Sequence, residues 1–189
     1  MLELKKINKY YNQGTVNEMC LFEDFSLTIK DRQFVSVVGS NGSGKTSMLN
    51  IICGSIPLDS GRIIIGGKDI TSMPEYRRQR RIGRVYQNPA MGTCPHMTIL
   101  ENMALADNKG KPFNLLPGTN RQRINYYKEQ LHSLGLGLED KLHVKVGVLS
   151  GGQRQAMALL MSTMTPIEFL ILDEHTAALD PKTAEVIME

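Results

Sequence analysis

The sequence predicts an α/β fold in which a block of helices is set between two strand-bearing parts. Three observations carry this. An apolar run, Phe34-Val35-Ser36-Val37-Val38, leads straight into a glycine-rich stretch and then into helical spacing (Met48, Leu49, Ile51, Ile52) that stops at Gly54. A second apolar run, Phe169-Leu170-Ile171-Leu172, ends on Asp173 and Glu174. Between the two lie helical patterns at 98–106, 121–134 and 151–164, which mark an inserted helical subdomain at about residues 90–165.

The elements follow in order. Leu2, Leu4 and Ile7 alternate with polar residues and predict a strand over about 2–10; Phe25, Leu27 and Ile29 predict another over 24–30. The run at 34–38 is apolar enough to be buried on both faces, as a central strand of a parallel sheet is. Arg62 to Ile65 is a strand before the Gly66-Gly67 turn, and Arg81 to Tyr86 is one more. Residues 107–120 are polar and punctuated by Gly and Pro, which makes them a loop. The segment 169–172 is a buried strand.

Composition narrows the class. A chain of 189 residues is one domain by length. Hydrophobic residues make up 41%, with 17 glycines in addition, a globular rather than disordered composition. Lys plus Arg minus Asp plus Glu is 22 − 19 = +3, too small an excess to argue for nucleic acid. No uncharged apolar stretch approaches the roughly 18 residues of a membrane span. Glu3 falls where a secretion signal would begin its apolar core, so no such signal is expected. Cys20, Cys53 and Cys94 are scattered, with no CxxC pair, and read as free thiols of a reducing compartment.

The chemistry lies in three motifs. Gly39-Ser40-Asn41-Gly42-Ser43-Gly44-Lys45-Thr46 fits G-x-x-x-x-G-K-[ST], with Ser47 following in the helix. Glycines let successive backbone N–H groups turn toward an anion, and the helix N-terminus adds partial positive charge. Lys45 can reach β- and γ-phosphates, and the Thr46 hydroxyl can ligate Mg²⁺. Asp173, at the C-terminal end of its strand, can hold Mg²⁺, and Glu174 can accept a proton from an attacking water. Leu149-Ser150-Gly151-Gly152-Gln153 opens a helix and forms a second anion-binding N-terminus. One domain needs one phosphate loop, so the second points to a partner's nucleotide.

This last motif resembles the LSGGQ signature of the ATP-binding-cassette (ABC) ATPases. Other landmarks of that family follow in order: Tyr86-Gln87-Asn88-Pro89 resembles the Q-loop, Ala178-Leu179-Asp180 the D-loop, and Lys9-Tyr10-Tyr11 the A-loop, where Tyr11 would stack on adenine. The resemblance covers essentially the whole chain. It implies a P-loop NTPase fold of the ABC nucleotide-binding type, with a mostly parallel core sheet, an N-terminal antiparallel β subdomain and an inserted helical subdomain. Residues 1–89 and 166–189 would form the core with the β subdomain, and about 90–165 the helical part. The resemblance also implies ATP and Mg²⁺ as ligands, with Thr46, Gln87 and Asp173 toward the metal and Glu174, Lys45 and Gln87 in catalysis. A second cassette would dimerise head to tail, so that Ser150, Gly151, Gly152 and Gln153 of one copy face the nucleotide on Gly39–Ser47 of the other. A transmembrane permease subunit would sit on the pair at the cytoplasmic face of the membrane, with an extracytoplasmic solute-binding protein in the same system. The implied role is to power transport, with the wording of residues 174–180 closest to amino-acid-type uptake systems. A soluble ABC protein acting on ribosomes or nucleic acid, or a binding-only fragment, are the alternatives.

Two departures stand out. His175 occupies the place where the family has Pro after the catalytic Glu. The family's switch histidine, expected some twenty residues beyond the D-loop, has no counterpart before Glu189. The expectation is a cassette cut short, able to bind ATP and poorly equipped to hydrolyse it. Other features have plainer readings. The basic run Arg77–Arg81 is expected to be a solvated face, Met157, Met161 and Met164 to pack in the core behind the signature helix, and Cys94 with His96 to bind no metal.

Overall fold

The computed structural model describes residues 1–112, 115 and 117–173. The chain divides into two units, Met1–Ile82 and Gly83–Glu189.

In the first unit, β1 (Leu2–Tyr11), β2 (Met19–Ile29), β3 (Ser60–Ile65) and β4 (Lys68–Asp69) form one sheet in the order β2-β1-β3-β4, with every pairing antiparallel. The alternation that predicted β1 changes phase midway: Leu2 and Leu4 are buried, then Ile7 and Lys9. A bulge causes the change. Register breaks between Leu4 and Ile7, and Lys6 takes φ 46°. The bulge presses on Gly61 of β3, where an added Cβ would lie 2.4 Å from the Lys6 carbonyl oxygen. Gly61 itself has φ 99°, so no other residue suits the position. Helix α1 (Lys45–Cys53) buries Met48, Ile51 and Ile52, and ends in the left-handed Gly54. The short helix α2 (Glu75–Arg78) follows β4.

The strand expected at 34–38 is absent. These residues belong to no sheet among the described residues, and Phe34 and Val38 are 79% and 90% exposed. An apolar run becomes a strand only when a neighbour pairs its backbone N–H and C=O groups; here no described strand does.

In the second unit, β5 (Ile82–Val85), which begins at the unit boundary, pairs with β6 (Phe169–Leu172). The Asp173 N–H donates to the Val85 carbonyl at 3.1 Å, so the C-terminal ends of both strands lie together, as in a parallel pair. Helices α3 (Ile99–Asp107), α4 (Ile124–His132) and α5 (Gly151–Thr163) surround a core of Ile99, Met103, Tyr127, Leu131, Val146 and Met157. Met161 and Met164 pack against that core, as the helical spacing predicted. Buried Asn102 accepts from the Cys94 N–H at 2.7 Å and donates to the Cys94 and Thr98 carbonyls, which fixes the loop ahead of α3. That loop is also bonded to the segment before α5, through Val146 N–H to Met97 O and Gly147 N–H to Pro95 O. Among the described residues no helix is long and apolar enough to cross a membrane.

The basic run is not wholly solvated. Arg78 is buried and donates to the carbonyls of Ile51, Ile52, Thr71 and Met73. The first two belong to the last turn of α1, where the Ile51 carbonyl also accepts from the Gly54 N–H at 3.2 Å and helix-end carbonyls need donors from outside the helix. A guanidinium supplies both hydrogen bonds and a charge suited to that helix end.

Candidate nucleotide site

Helix α1 begins at a backbone feature rather than a side-chain cap. Gly44 is its N-cap at φ 89°, no side chain bonds the cap, and the first turn holds no acid. The first helical hydrogen bond runs from Met48 N–H to the Gly44 carbonyl at 2.8 Å, so the N–H groups ahead of it have no acceptor within the helix. An anion is the natural partner for such an end. Gly42, at φ 82°, turns the loop, and the Ser43 N–H closes it on the Ser40 carbonyl at 3.2 Å. Lys45 folds back over the loop and donates to the carbonyls of Gly39 at 2.8 Å and Ser40 at 2.9 Å. These are exchangeable partners, which hold the ammonium over the loop mouth where phosphate oxygens would compete for it. Thr46 is exposed and Ser47 partly so.

Leu21 and Phe22 of β2 lie against Gly44, where an added Cβ would meet Leu21 Cδ1 at 2.8 Å. Tyr11 pairs with Met19, two residues back along the same strand, and its ring lies 5.6 Å from the Lys9 ammonium. The hairpin end that bears Tyr11 is thus the end that meets the phosphate loop.

The second unit gathers the other motifs. Ser150 caps α5 with a reciprocal pair: its Oγ accepts from the Gln153 N–H and the Gln153 side chain accepts from the Ser150 N–H, both at 3.2 Å. Gly151 and Gly152 form the first turn beyond it, and Ser150 and Gly151 are exposed. One turn further, buried Gln155 donates to the Tyr86 carbonyl at 3.3 Å. Tyr86 is the residue before Gln87, which is exposed. Asp173 stands at the end of β6 within 3.7 Å of Arg84 in β5. So Gln87, Asp173 and the signature helix are linked through β5 and its C-terminal end. Glu174, His175 and the Ala178-Leu179-Asp180 segment lie outside the described residues. Sequence reasoning missed Arg84, Gln155 and Asn102. A charge in the middle of a four-residue buried strand was the available signal for Arg84.

Both expected Mg²⁺ ligands, a hydroxyl and a carboxylate, are hard oxygen donors. Mg²⁺ typically takes one or two of these from protein and the rest from phosphates and water. Among the described residues no cluster of three or more His, Cys, Asp or Glu is present that could hold a metal unaided. Cys20 and Cys94 are exposed, Cys53 is buried, and among the described residues none of the three is in a disulfide.

A glycine-shaped loop at an uncapped helix N-terminus, with its lysine folded over it, defines a phosphate-loop nucleotide-binding protein. Comparison gives the family. The family profile described as ABC transporter matches residues 22–177. The chain is 44% identical over 189 residues to a tyrosine transport ATP-binding protein of Clostridioides difficile (strain R20291), a match that spans all of this chain and 75% of that protein. It is 36% identical to a spermidine/putrescine import ATP-binding protein of Pasteurella multocida (strain Pm70), over 96% of this chain but 45% of the relative. A bacterial ABC transporter cassette solved as a dimer matches with TM-score 0.81 and 31% identity, over 100% of this chain and 80% of that one. A cassette dimer in a post-hydrolysis state bound to ADP and phosphate matches with TM-score 0.82 and 30% identity, with the same coverage. The chain belongs to the ABC transporter family, as one of its ATPase cassettes.

Proposed function

We propose that this cassette binds Mg·ATP on Gly39–Ser47, pairs head to tail with a second cassette, and drives a transmembrane permease that imports an amino-acid-type solute. The observation that supports the chemistry best is the uncapped N-terminus of α1, with Lys45 held over the loop carbonyls. The 44% identity to a tyrosine transport protein supports the solute class. In this reading residues 1–89 and 166–189 form the core with its β subdomain, and about 90–165 form the helical part. Tyr11 stacks on adenine. Backbone N–H groups of Gly39, Ser40, Asn41, Gly42, Ser43 and Gly44 surround the phosphates, Lys45 neutralises charge on the γ-phosphate, and Ser47 completes the first turn. Thr46, Gln87 and Asp173 would hold Mg²⁺, which when bound would supply charge neutralisation for the phosphates. Glu174 takes the proton of a water that attacks the γ-phosphorus. The bond from phosphorus to the bridging oxygen breaks and leaves ADP and inorganic phosphate. Ser150, Gly151, Gly152 and Gln153 serve the nucleotide held by the other cassette. The pair works at the inner face of the membrane, with a solute-binding protein on the other side and no nucleic acid as a partner.

The test is Glu174→Gln. With Mg·ATP the variant should elute as a nucleotide-loaded dimer in gel filtration, because binding is kept and turnover is lost. A variant that stays monomeric at saturating ATP overturns the sandwich reading. Uptake of amino acids, tyrosine first, by vesicles that contain the cassette and its permease tests the solute class, and no ATP-dependent uptake of any amino acid overturns it.

A further inference from the structure

Arg84 is a charge in the middle of a short strand, and its side chain is only 7% exposed. Burial there is costly unless the guanidinium has an opposite charge to face. It has one: Asp173, 12% exposed, lies 3.7 Å away. The Arg84 guanidinium also rests on the Tyr86 ring, 4.4 Å from the ring centre. The Asp173 N–H bonded to the Val85 carbonyl fixes the carboxylate beside β5. We propose that Arg84 is the resident counter-charge of Asp173, a positioning residue that the carboxylate gives up in exchange for a nucleotide-bound divalent cation.

The geometry favours exchange over a permanent lock. A tight guanidinium–carboxylate pair closes to roughly 2.7–2.9 Å and is often forked, whereas this pair stands at 3.7 Å. Arginine cannot shed its proton, so its charge opposes a second cation for as long as it faces Asp173. Tyr86 gives the guanidinium a place to remain once the carboxylate turns away, since a cation over an aromatic face is stabilised without an anion. That ring belongs to the residue before Gln87, and its backbone carbonyl is held by Gln155 of the signature helix. The exchange therefore takes place at the root of the Gln87 loop. This inference rests on the reading of Asp173 as a cation ligand.

The test uses the full chain and a non-hydrolysable ATP analogue at fixed concentration, with MgCl₂ titrated and bound analogue read by fluorescence. Arg84→Gln should lower the Mg²⁺ midpoint by about three- to tenfold, because a positive charge near 4 Å from the ligand has been removed. Arg84→Lys, which keeps the charge, should stay within about twofold of wild type. Arg84→Met keeps the aliphatic contact with Tyr86 and should repeat the Gln result if the Gln variant does not fold. An unchanged or raised midpoint in the neutral variants overturns the proposal. An arginine that merely holds the fold would lower stability and binding at every Mg²⁺ concentration without moving the midpoint. Mg²⁺-independent binding by the wild type would overturn the cation role of Asp173 as well, whereas a normal wild-type titration with no shift in the variants overturns only the role of Arg84.

Discussion

Arg78 shows what a single side chain can do where sequence gives little warning. It sits in a run of basic residues that looks like a wet surface, yet its guanidinium spans four carbonyls at 2.7–3.1 Å and closes the end of α1 opposite the phosphate loop. Its partners are backbone atoms, which every residue carries, so no side-chain pattern announces them. Arg78→Met should cost about 3 kcal/mol, since it leaves buried carbonyls without donors. Urea unfolding measures it, and a loss below about 0.5 kcal/mol would show that water replaces the guanidinium freely. Asn102 was hidden for the same reason, because it too bonds to backbone. Lys45, Thr46 and Asp173 could be singled out in the sequence because phosphate and metal chemistry asks for particular residue types at set spacings, and backbone-bonding residues carry no such pattern.

At the scale of elements, most of the fold was readable. Helices begin where caps predict: Thr98 with Glu101 and Ser150 with Gln153 both form reciprocal caps. The strand at 34–38 was not, because a strand is a property of a pair and periodicity describes only one member. The join between α3 and α4 is also a matter of pairing. Asp107 accepts two bonds from Arg123 and one from the Tyr127 hydroxyl, each at 2.9 Å. Burial and the Asp107 bond push the Tyr127 phenol up to about 12, from 10.0. The folded state therefore holds this proton at a pH where the unfolded chain has released it. The contribution of the phenol is complete below about pH 10 and is lost as pH rises toward about 12. Tyr127→Phe should be less stable than wild type at pH 8, and the difference should shrink between pH 10 and 12. Denaturant midpoints across that range check it, and a constant difference would mean that the phenol titrates alike in the folded and unfolded chains. In acid the sign reverses. Burial pushes the Asp107 carboxyl up, but its bonds from Arg123 and Tyr127 outweigh this and hold it below the usual range, so its contribution is lost as pH falls below about 4.

For the molecule as a whole, ligand binding and stability are one quantity. A nucleotide that binds the folded chain alone stabilises it by about 2.7 kcal/mol at a hundredfold excess over Kd. Mg·ATP should accordingly raise the melting temperature of the wild type. Lys45→Ala should melt near the wild-type temperature without nucleotide, because among the described residues the ammonium bonds only the Gly39 and Ser40 carbonyls, and should lose the ATP-dependent rise. Calorimetry with and without Mg·ATP decides this, and an undiminished rise in the variant would place the nucleotide elsewhere. One feature of the sheet bears on how many copies of this chain can share a solution. Among the described residues β2 is the sheet's long edge, and an open edge is a template on which a second copy can add a strand. The pairing of β2 with β1 breaks register three times, and Asp24, with φ 45°, stands inside it. A kinked edge that carries a carboxylate offers no straight ladder to a neighbour. The irregularity that upset a simple alternation in β1 thus guards the sheet against edge-to-edge aggregation.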